Sequence, residues 1–236
     1  METLRKPGRI AGLWFLATFV FSIPAVLLYD PVLNDTGYVF GVGSESRVAA
    51  GAVLEVLLVI SNIATAVVFF PVLKLVKESV ALGYVASRIT ESAIIVTGLM
   101  SLLTVTTLRD DIGGASAAAV AGGRASALDV AARALVDVHD WTFTIGPQLC
   151  AGFGNGILLG FLMYRSGLVP PRMALLGLVG GPLAFLGGLL VILGAFDNPS
   201  APLFALTVVE ILWEASLAIY LTVRGYRESP LVQAAG

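Results

Sequence analysis

The chain has 236 residues, of which 57% are apolar and 13% are charged, and its mean hydropathy is +0.92. Soluble domains carry about a quarter charged residues and disordered chains are poor in apolar ones, so both classes are excluded. The net charge of −2 provides no basic surface for nucleic acid. What remains is a bundle of membrane-spanning helices.

Six apolar runs are long enough to cross the roughly 30 Å hydrocarbon core of a bilayer. The sequence therefore predicts an all-α, polytopic membrane protein with a single six-helix transmembrane domain over residues 1–236. The first run follows basic residues, as a signal peptide would, but lacks a clear cleavage site, and we interpret it as a retained helix. The predicted spans cover about residues 10–28, 48–73, 80–108, 141–164, 173–196 and 202–223.

The connection over residues 109–140 is the longest predicted loop. Its Ala/Gly-rich part, Gly113 to Gly123, indicates a flexible segment. From Ala125 to Val138 apolar residues recur at helical spacing, which predicts a short helix before the fourth span. This helix lies either on the membrane surface or in solvent as an extension of that span.

The basic residues indicate the orientation, because positively charged short loops stay in the cytoplasm. Six crossings place both termini on one side, and that side carries nine of the 14 basic residues, against four on the other side and Arg88 within a span. Both termini are therefore predicted to be cytoplasmic. The nine are Arg5, Lys6, Arg9, Lys74, Lys77, Arg165, Arg172, Arg224 and Arg227.

Small residues and proline shape the fourth span. Gly152, Gly156 and Gly160 recur at every fourth position and predict a smooth stripe where another helix approaches closely. Pro147 predicts a kink that frees a backbone carbonyl. That carbonyl is satisfied locally or serves as a ligand for a cation or substrate.

Five ionisable side chains lie inside the predicted spans, where each needs a partner or a cavity. Helical spacing places four pairs of polar residues each on one face of its span: Glu55 with Asn62, Arg88 with Glu91, Gln148 with Asn155, and Glu210 with Glu214. Four spans thus carry a polar stripe. The five ionisable residues are Glu55, Arg88, Glu91, Glu210 and Glu214.

At 1.5 Å per residue, these polar residues fall into two layers. Arg88 and Glu214 lie deeper and are predicted to pair across helices. The outer layer holds three carboxyl groups and the amide of Gln148, with no second base. Three carboxylates cannot all remain ionised in a medium of low dielectric constant, so some are protonated, hydrated or bound to a cation.

Two aromatic side chains near this cluster are ambiguous. His139, the only histidine, is predicted to lie at the outer mouth, on a face away from Gln148 and Asn155. It is therefore not expected to reach the inner cluster. It is solvated or paired with an aspartate, or it acts as a metal ligand or proton relay. Trp213 either lines the cavity or faces lipid. Cys150 is single and is interpreted as a packing residue.

The residue types and motifs that the sequence lacks exclude several kinds of functional site. One histidine cannot supply a bis-histidine haem or a histidine-rich di-iron site. The sequence contains no mid-span lysine for a retinal Schiff base, and no motif of a zinc peptidase, a serine hydrolase or a nucleotide-driven pump. Enzymatic activity would therefore depend on a carboxyl acid acting on a lipidic substrate.

The junction between the fourth and fifth spans resembles a known family. Residues 156–170, with the sequence GILLGFLMYRSGLVP, are followed by Arg172 and by Leu175-Leu176-Gly177, and residues 9–13 read RIAGL. These features are similar to a bacterial family of six-helix membrane proteins catalogued as a domain of unknown function, number four thousand three hundred and eighty-six. The resemblance implies six spans and a bacterial inner membrane; it implies no activity and no catalytic residues.

Three hypotheses follow. The first is an outward-opening polar cavity that binds a small or lipidic ligand or a cation, with proton-coupled transport as one use. The second is a membrane-embedded enzyme with Glu91, Glu210 or Glu214 as general acid, and the third is a structural or regulatory subunit. We expect no metal, no cofactor and no nucleic acid, with membrane lipids as partners. The predicted ligand-binding residues are Glu55, Asn62, Arg88, Glu91, Gln148, Asn155, Glu210, Trp213 and Glu214.

Overall fold

The computed structural model describes residues 4–35, 37–113 and 125–235. Within these residues the regular structure is entirely helical. Two π-helical segments cover Thr144–Cys150 and Gly152–Leu159, and a 3₁₀ helix covers Tyr38–Phe40. The helices in chain order are α1 (Arg5–Leu28), α2 (Asp30–Asn34), α3 (Glu45–Gly113), α4 (Ala125–Phe143), α5 (Gly160–Ser166), α6 (Pro171–Ile192), α7 (Ala201–Arg224) and α8 (Pro230–Ala235).

Five helical stretches of the described chain are long and apolar enough to cross a membrane. Their exposed faces carry large aliphatic and aromatic side chains, as a lipid-facing surface requires. The all-α prediction is confirmed. The five stretches are Arg5–Leu28, Glu45–Ile112, Ser126–Ser166, Pro171–Ile192 and Ala201–Arg224.

Helix α3 has 69 residues and would be about 100 Å long if straight, three times the thickness of a bilayer core. It is folded at Lys77, whose backbone is extended (φ −163°, ψ 103°). The side chains of Asn62 and Arg88 are hydrogen-bonded to each other, although a straight helix would separate them by about 39 Å. The first arm (residues 45–76) and the second arm (78–113) therefore lie side by side.

The structure differs from the predicted boundaries in several places; α1 begins at Arg5 and α3 ends at Gly113, each five residues beyond the predicted span. The predicted loop over residues 74–79 is reduced to the single extended residue Lys77. The fifth predicted span ends earlier, at Ile192. The stretch predicted as a short helix, Ala125 to Val138, lies in a helix that runs to Phe143 and continues into the π-helical segment. Ala132 of this helix packs with Leu102 and Val105 of α3. The predicted flexible segment, residues 113–123, lies outside the described residues except for Gly113.

The first outer connection is held to the end of α3 by one arginine. The guanidinium of Arg109 donates hydrogen bonds of 2.8–3.1 Å to the carbonyl oxygens of Tyr38, Gly41, Val42 and Gly43. It also lies 4.6 Å from the ring centroid of Tyr38. The connection between α2 and α3 is thus fixed to the end of the second arm of α3.

The predicted glycine stripe is confirmed as the contact between the fourth span and α6. A Cβ added at Gly156 would lie 2.8 Å from the backbone nitrogen of Gly181 and 2.7 Å from a carboxyl oxygen of Glu210. A Cβ at Gly152 would lie 2.9 Å from the backbone nitrogen of Phe185. The two backbones approach each other too closely for any side chain.

We expect Gly156→Ala to lower the free energy of unfolding by about 1–3 kcal/mol, because the added methyl group meets the backbone of α6. Gly83→Ala is the matched control, since its new methyl group would meet only the flexible end of Leu158 at 3.3 Å. The control should be neutral or stabilising by up to about 1 kcal/mol. Thermal and denaturant unfolding in detergent would measure both; equal losses would contradict the close packing described.

Candidate functional site

The buried guanidinium of Arg88 joins the two arms of α3. Its Nη1 donates to Glu91 Oε2 at 2.7 Å, and its Nη2 donates to the amide oxygen of Asn62. The amide nitrogen of Asn62 lies 3.5 Å from the other carboxyl oxygen of Glu91. The predicted shared face of Arg88 and Glu91 is confirmed, and the three side chains form a closed polar ring.

The predicted pairing of Arg88 with Glu214 is wrong. Among the described residues, the only carboxylate within ion-pair distance of Arg88 is Glu91. Glu214 instead accepts a hydrogen bond of 2.6 Å from the amide nitrogen of Asn155. The prediction failed because Glu91 is one turn away on the same helix and competes successfully for the guanidinium.

The Arg88–Glu91 pair and the Asn155–Glu214 pair both line a small cavity of about 110 Å³. The first pair comes from the second arm of α3, and the second pair from residue 155 and from α7. Donors and acceptors are both present, so this inner cavity can hold a compact polar group. Its wall is completed by Thr18, Phe19, Ser22, Leu58, Asn62, Ile95, Pro147 and Ala151.

A second cavity, of about 410 Å³, lies beside Glu55 and His139 and is called the outer cavity below. Its wall is mostly apolar, and its polar members include Glu55, His139 and Thr142. Five residues line both cavities, so the two spaces adjoin. The shared residues are Phe19, Ser22, Leu58, Ile95 and Pro147.

Comparison with protein-family profiles assigns the chain to a family. Residues 10–225 match the family described as "Domain of unknown function (DUF4386)". The chain belongs to the DUF4386 family. Searches of curated proteins and of solved structures returned no match. The resemblance inferred from the turn after the fourth span is therefore confirmed, and the family description assigns no activity.

Glu55 lies apart from the Arg88 ring in this DUF4386 protein. Its carboxyl group accepts a hydrogen bond of 2.6 Å from the hydroxyl of Tyr29. The ring of His139 lies edge-on to Tyr29, with the centroids 5.8 Å apart. As expected, His139 does not line the inner cavity, but it borders the outer one together with Glu55.

Gln148 and Asn155 do share a face, and both reach α7. The amide nitrogen of Gln148 donates to Thr207 at 2.8 Å and to the carbonyl oxygen of Ala184 at 2.9 Å. Asn155 reaches Glu214, seven residues beyond Thr207. Only Asn155 lines the inner cavity; Gln148 connects the fourth span to α6 and α7.

Glu210 and Trp213 also lie outside the linings of both cavities. Glu210 is buried against Gly156 and Gly180, and neither carboxyl oxygen has a hydrogen-bond partner among the described residues. Trp213 is fully buried, packs on Gly177, and donates from Nε1 to the backbone oxygen of Asn155 at 2.9 Å. It neither faces lipid nor lines a cavity; it supports the position of Asn155.

Sequence reasoning missed two contributors to the site. Tyr29 is one: a buried tyrosine hydroxyl usually requires a hydrogen-bond partner, and here that partner is Glu55. Phe15 was not singled out, and its ring centroid lies 6.0 Å from the guanidinium carbon of Arg88. Within the described residues, no group of three histidine, cysteine or acidic side chains is placed to hold a metal ion.

We expect Arg88→Met to destabilise the protein by about 3–5 kcal/mol, because it leaves Glu91 buried without its ion-pair partner. The double variant with Glu91→Met should recover most of this loss, since it removes both charges. Arg133→Met in the exposed pair with Asp129 (2.9 Å) is the control and should cost less than about 1 kcal/mol. Unfolding in detergent measures all three, and failure of the double variant to recover stability would refute the pairing.

Proposed function

We propose that this DUF4386 protein binds an amphipathic, lipid-like ligand inside the membrane. In this proposal the outer cavity holds the apolar tail and the inner cavity holds the polar head. The observation that carries it is the adjacency of a 410 Å³ apolar space and a 110 Å³ polar space that have five wall residues in common. Binding sites of this kind combine a mostly apolar wall with a few placed polar groups.

The charges of the inner cavity restrict the head group. One arginine faces two glutamates, and the arginine is already paired with one of them. An anionic head would add a negative charge beside Glu214. A neutral hydrogen-bonding head or an ammonium group instead complements the Glu214 carboxyl, which Asn155 holds in place at 2.6 Å.

The wall of the outer cavity supports a lateral route from the lipid. Five of its residues are large apolar side chains that are also exposed on the outside of the bundle. A lipid-like molecule could therefore pass between α1, α4 and α7 without crossing water. These residues are Ile23, Val26, Leu27, Phe143 and Ile211.

The proposal includes six crossings of a bacterial inner membrane, with both termini cytoplasmic. The fold at Lys77 supports it, because each arm of α3 is long enough to cross once. The excess of basic residues at the end that carries the termini and Lys77 supports the orientation.

Binding can be tested with dodecylamine, dodecanol and laurate as probes and protein in nanodiscs. We expect Glu214→Gln to weaken dodecylamine binding by tenfold or more, because it removes the charge that faces the ammonium group. Glu210→Gln is the control: a buried carboxyl group one turn away that lies outside both cavities. Leu58→Trp, which fills the junction of the cavities, should weaken binding of both the amine and the alcohol.

Native mass spectrometry would report the bound probe directly. Tighter binding of laurate than of dodecylamine, or equal effects of the Glu210 and Glu214 substitutions, would contradict the proposed head-group site. Retention of all probes by Leu58→Trp would contradict the proposed tail site.

The crossing number can be tested by labelling single cysteines in a Cys150→Ser background with a membrane-impermeant maleimide. We expect Asp197→Cys to react in intact cells, whereas Glu78→Cys and Gln233→Cys react only after permeabilisation. All three positions are exposed, so accessibility depends on the side of the membrane. Reaction of both Asp197→Cys and Glu78→Cys in intact cells would refute six crossings, and reaction of Glu78→Cys and Gln233→Cys without Asp197→Cys would refute the orientation.

A further inference from the structure

A third cavity lies at the opposite end of the bundle from the outer mouth. It has a volume of about 340 Å³ and is formed by the start of α1, the end of α7 and the segment that leads into α8. Arg5, Arg224 and Arg227 line it, each from a different one of these segments. Glu228 is the only acidic residue in its lining, so the described wall has an excess of positive charge.

The backbone around this cavity is fixed by close contacts. Gly225 has a φ of +70°, and an added Cβ there would lie 3.0 Å or less from the backbone of Arg5. The backbone nitrogen of Arg227 donates to the carbonyl oxygen of Leu168 at 2.8 Å, and the hydroxyl of Ser229 donates to the backbone carbonyl oxygen of Ser166 at 2.6 Å. The arginines therefore extend from a rigid frame rather than from a free tail.

The three arginines are available to an external ligand. None of them forms an ion pair with an acidic residue in the part of the chain that the structure describes. Arg9, one turn further along α1, differs because it donates to the carbonyl oxygen of Val223 at 3.2 Å. A guanidinium has planar paired donors that match the oxygens of a phosphate group.

We propose that this arginine cavity binds the phosphate group of an anionic membrane lipid. The cavity lies where two spanning helices end, which is the depth of lipid phosphate groups in a bilayer. Basic pockets at the ends of spanning helices select anionic over zwitterionic head groups by their excess charge. The site is separate from the two inner cavities, and shares no lining residue with them.

Native mass spectrometry of the full chain with added phosphatidylglycerol or phosphatidylcholine tests this proposal. We expect phosphatidylglycerol to bind at least tenfold more tightly than phosphatidylcholine. Arg224→Gln combined with Arg227→Gln should reduce that preference at least fivefold. Arg165→Gln combined with Arg172→Gln is the matched control, because it removes the same charge from the same end of the bundle outside the cavity, and it should change the preference less than twofold.

Equal losses in the two double variants would show attraction to general surface charge and would overturn the proposal. An absence of lipid preference in the unmodified protein would do the same. Saturable binding of inorganic phosphate alone, with an affinity equal to that of the lipid, would assign the cavity to a soluble anion instead. The four arginines of the two double variants are exposed, so both variants should fold. Arg5→Gln alone provides a further variant of the cavity. Unchanged dodecylamine binding would verify that the inner cavities are intact.

Discussion

A guanidinium buried among apolar helices needs hydrogen-bond acceptors from the protein, because apolar side chains and lipid tails supply none. Arg88 meets this requirement with Glu91 on its own arm of α3 and Asn62 on the other arm. Separating the two arms of α3 would leave the buried guanidinium without one of its acceptors. The burial of this charge therefore favours the contact between the arms. The position of the inner cavity follows, since Arg88 and Glu91 line it.

The position of the Asn155–Glu214 pair depends on backbone packing rather than on charge. Glycines let the fourth span touch α6 directly, and Gly177 makes room for the indole of Trp213. That indole donates to the backbone of Asn155, whose side chain in turn holds the carboxyl group of Glu214. Gly177 thus contributes to the position of the polar pair through Trp213.

Spacing along a helix predicted which residues share a face, and spacing alone could not predict which helix that face meets. Gln148 and Asn155 share a face as expected, yet one binds Thr207 and Ala184 while the other lines the cavity. The depth of Glu214 matched that of Arg88 closely enough to suggest a pair, but depth does not specify rotation about the helix axis. The π-helical segments around Pro147 change the number of residues per turn, and single-sequence spacing does not reveal them.

Glu210 and Glu214 on α7 carry the same carboxyl group but differ in their access to the inner cavity, because their surroundings differ. Glu210 lies one turn before Glu214, and both were predicted to belong to one cluster. Glu210 is enclosed by the glycine backbones at the contact between the fourth span and α6, where there is no room for a ligand. Glu214 lies where the wall opens, and Asn155 fixes one of its oxygens at 2.6 Å. A ligand that enters the inner cavity therefore meets Glu214 and not Glu210, which is why these two positions form the sharpest internal comparison that the chain offers.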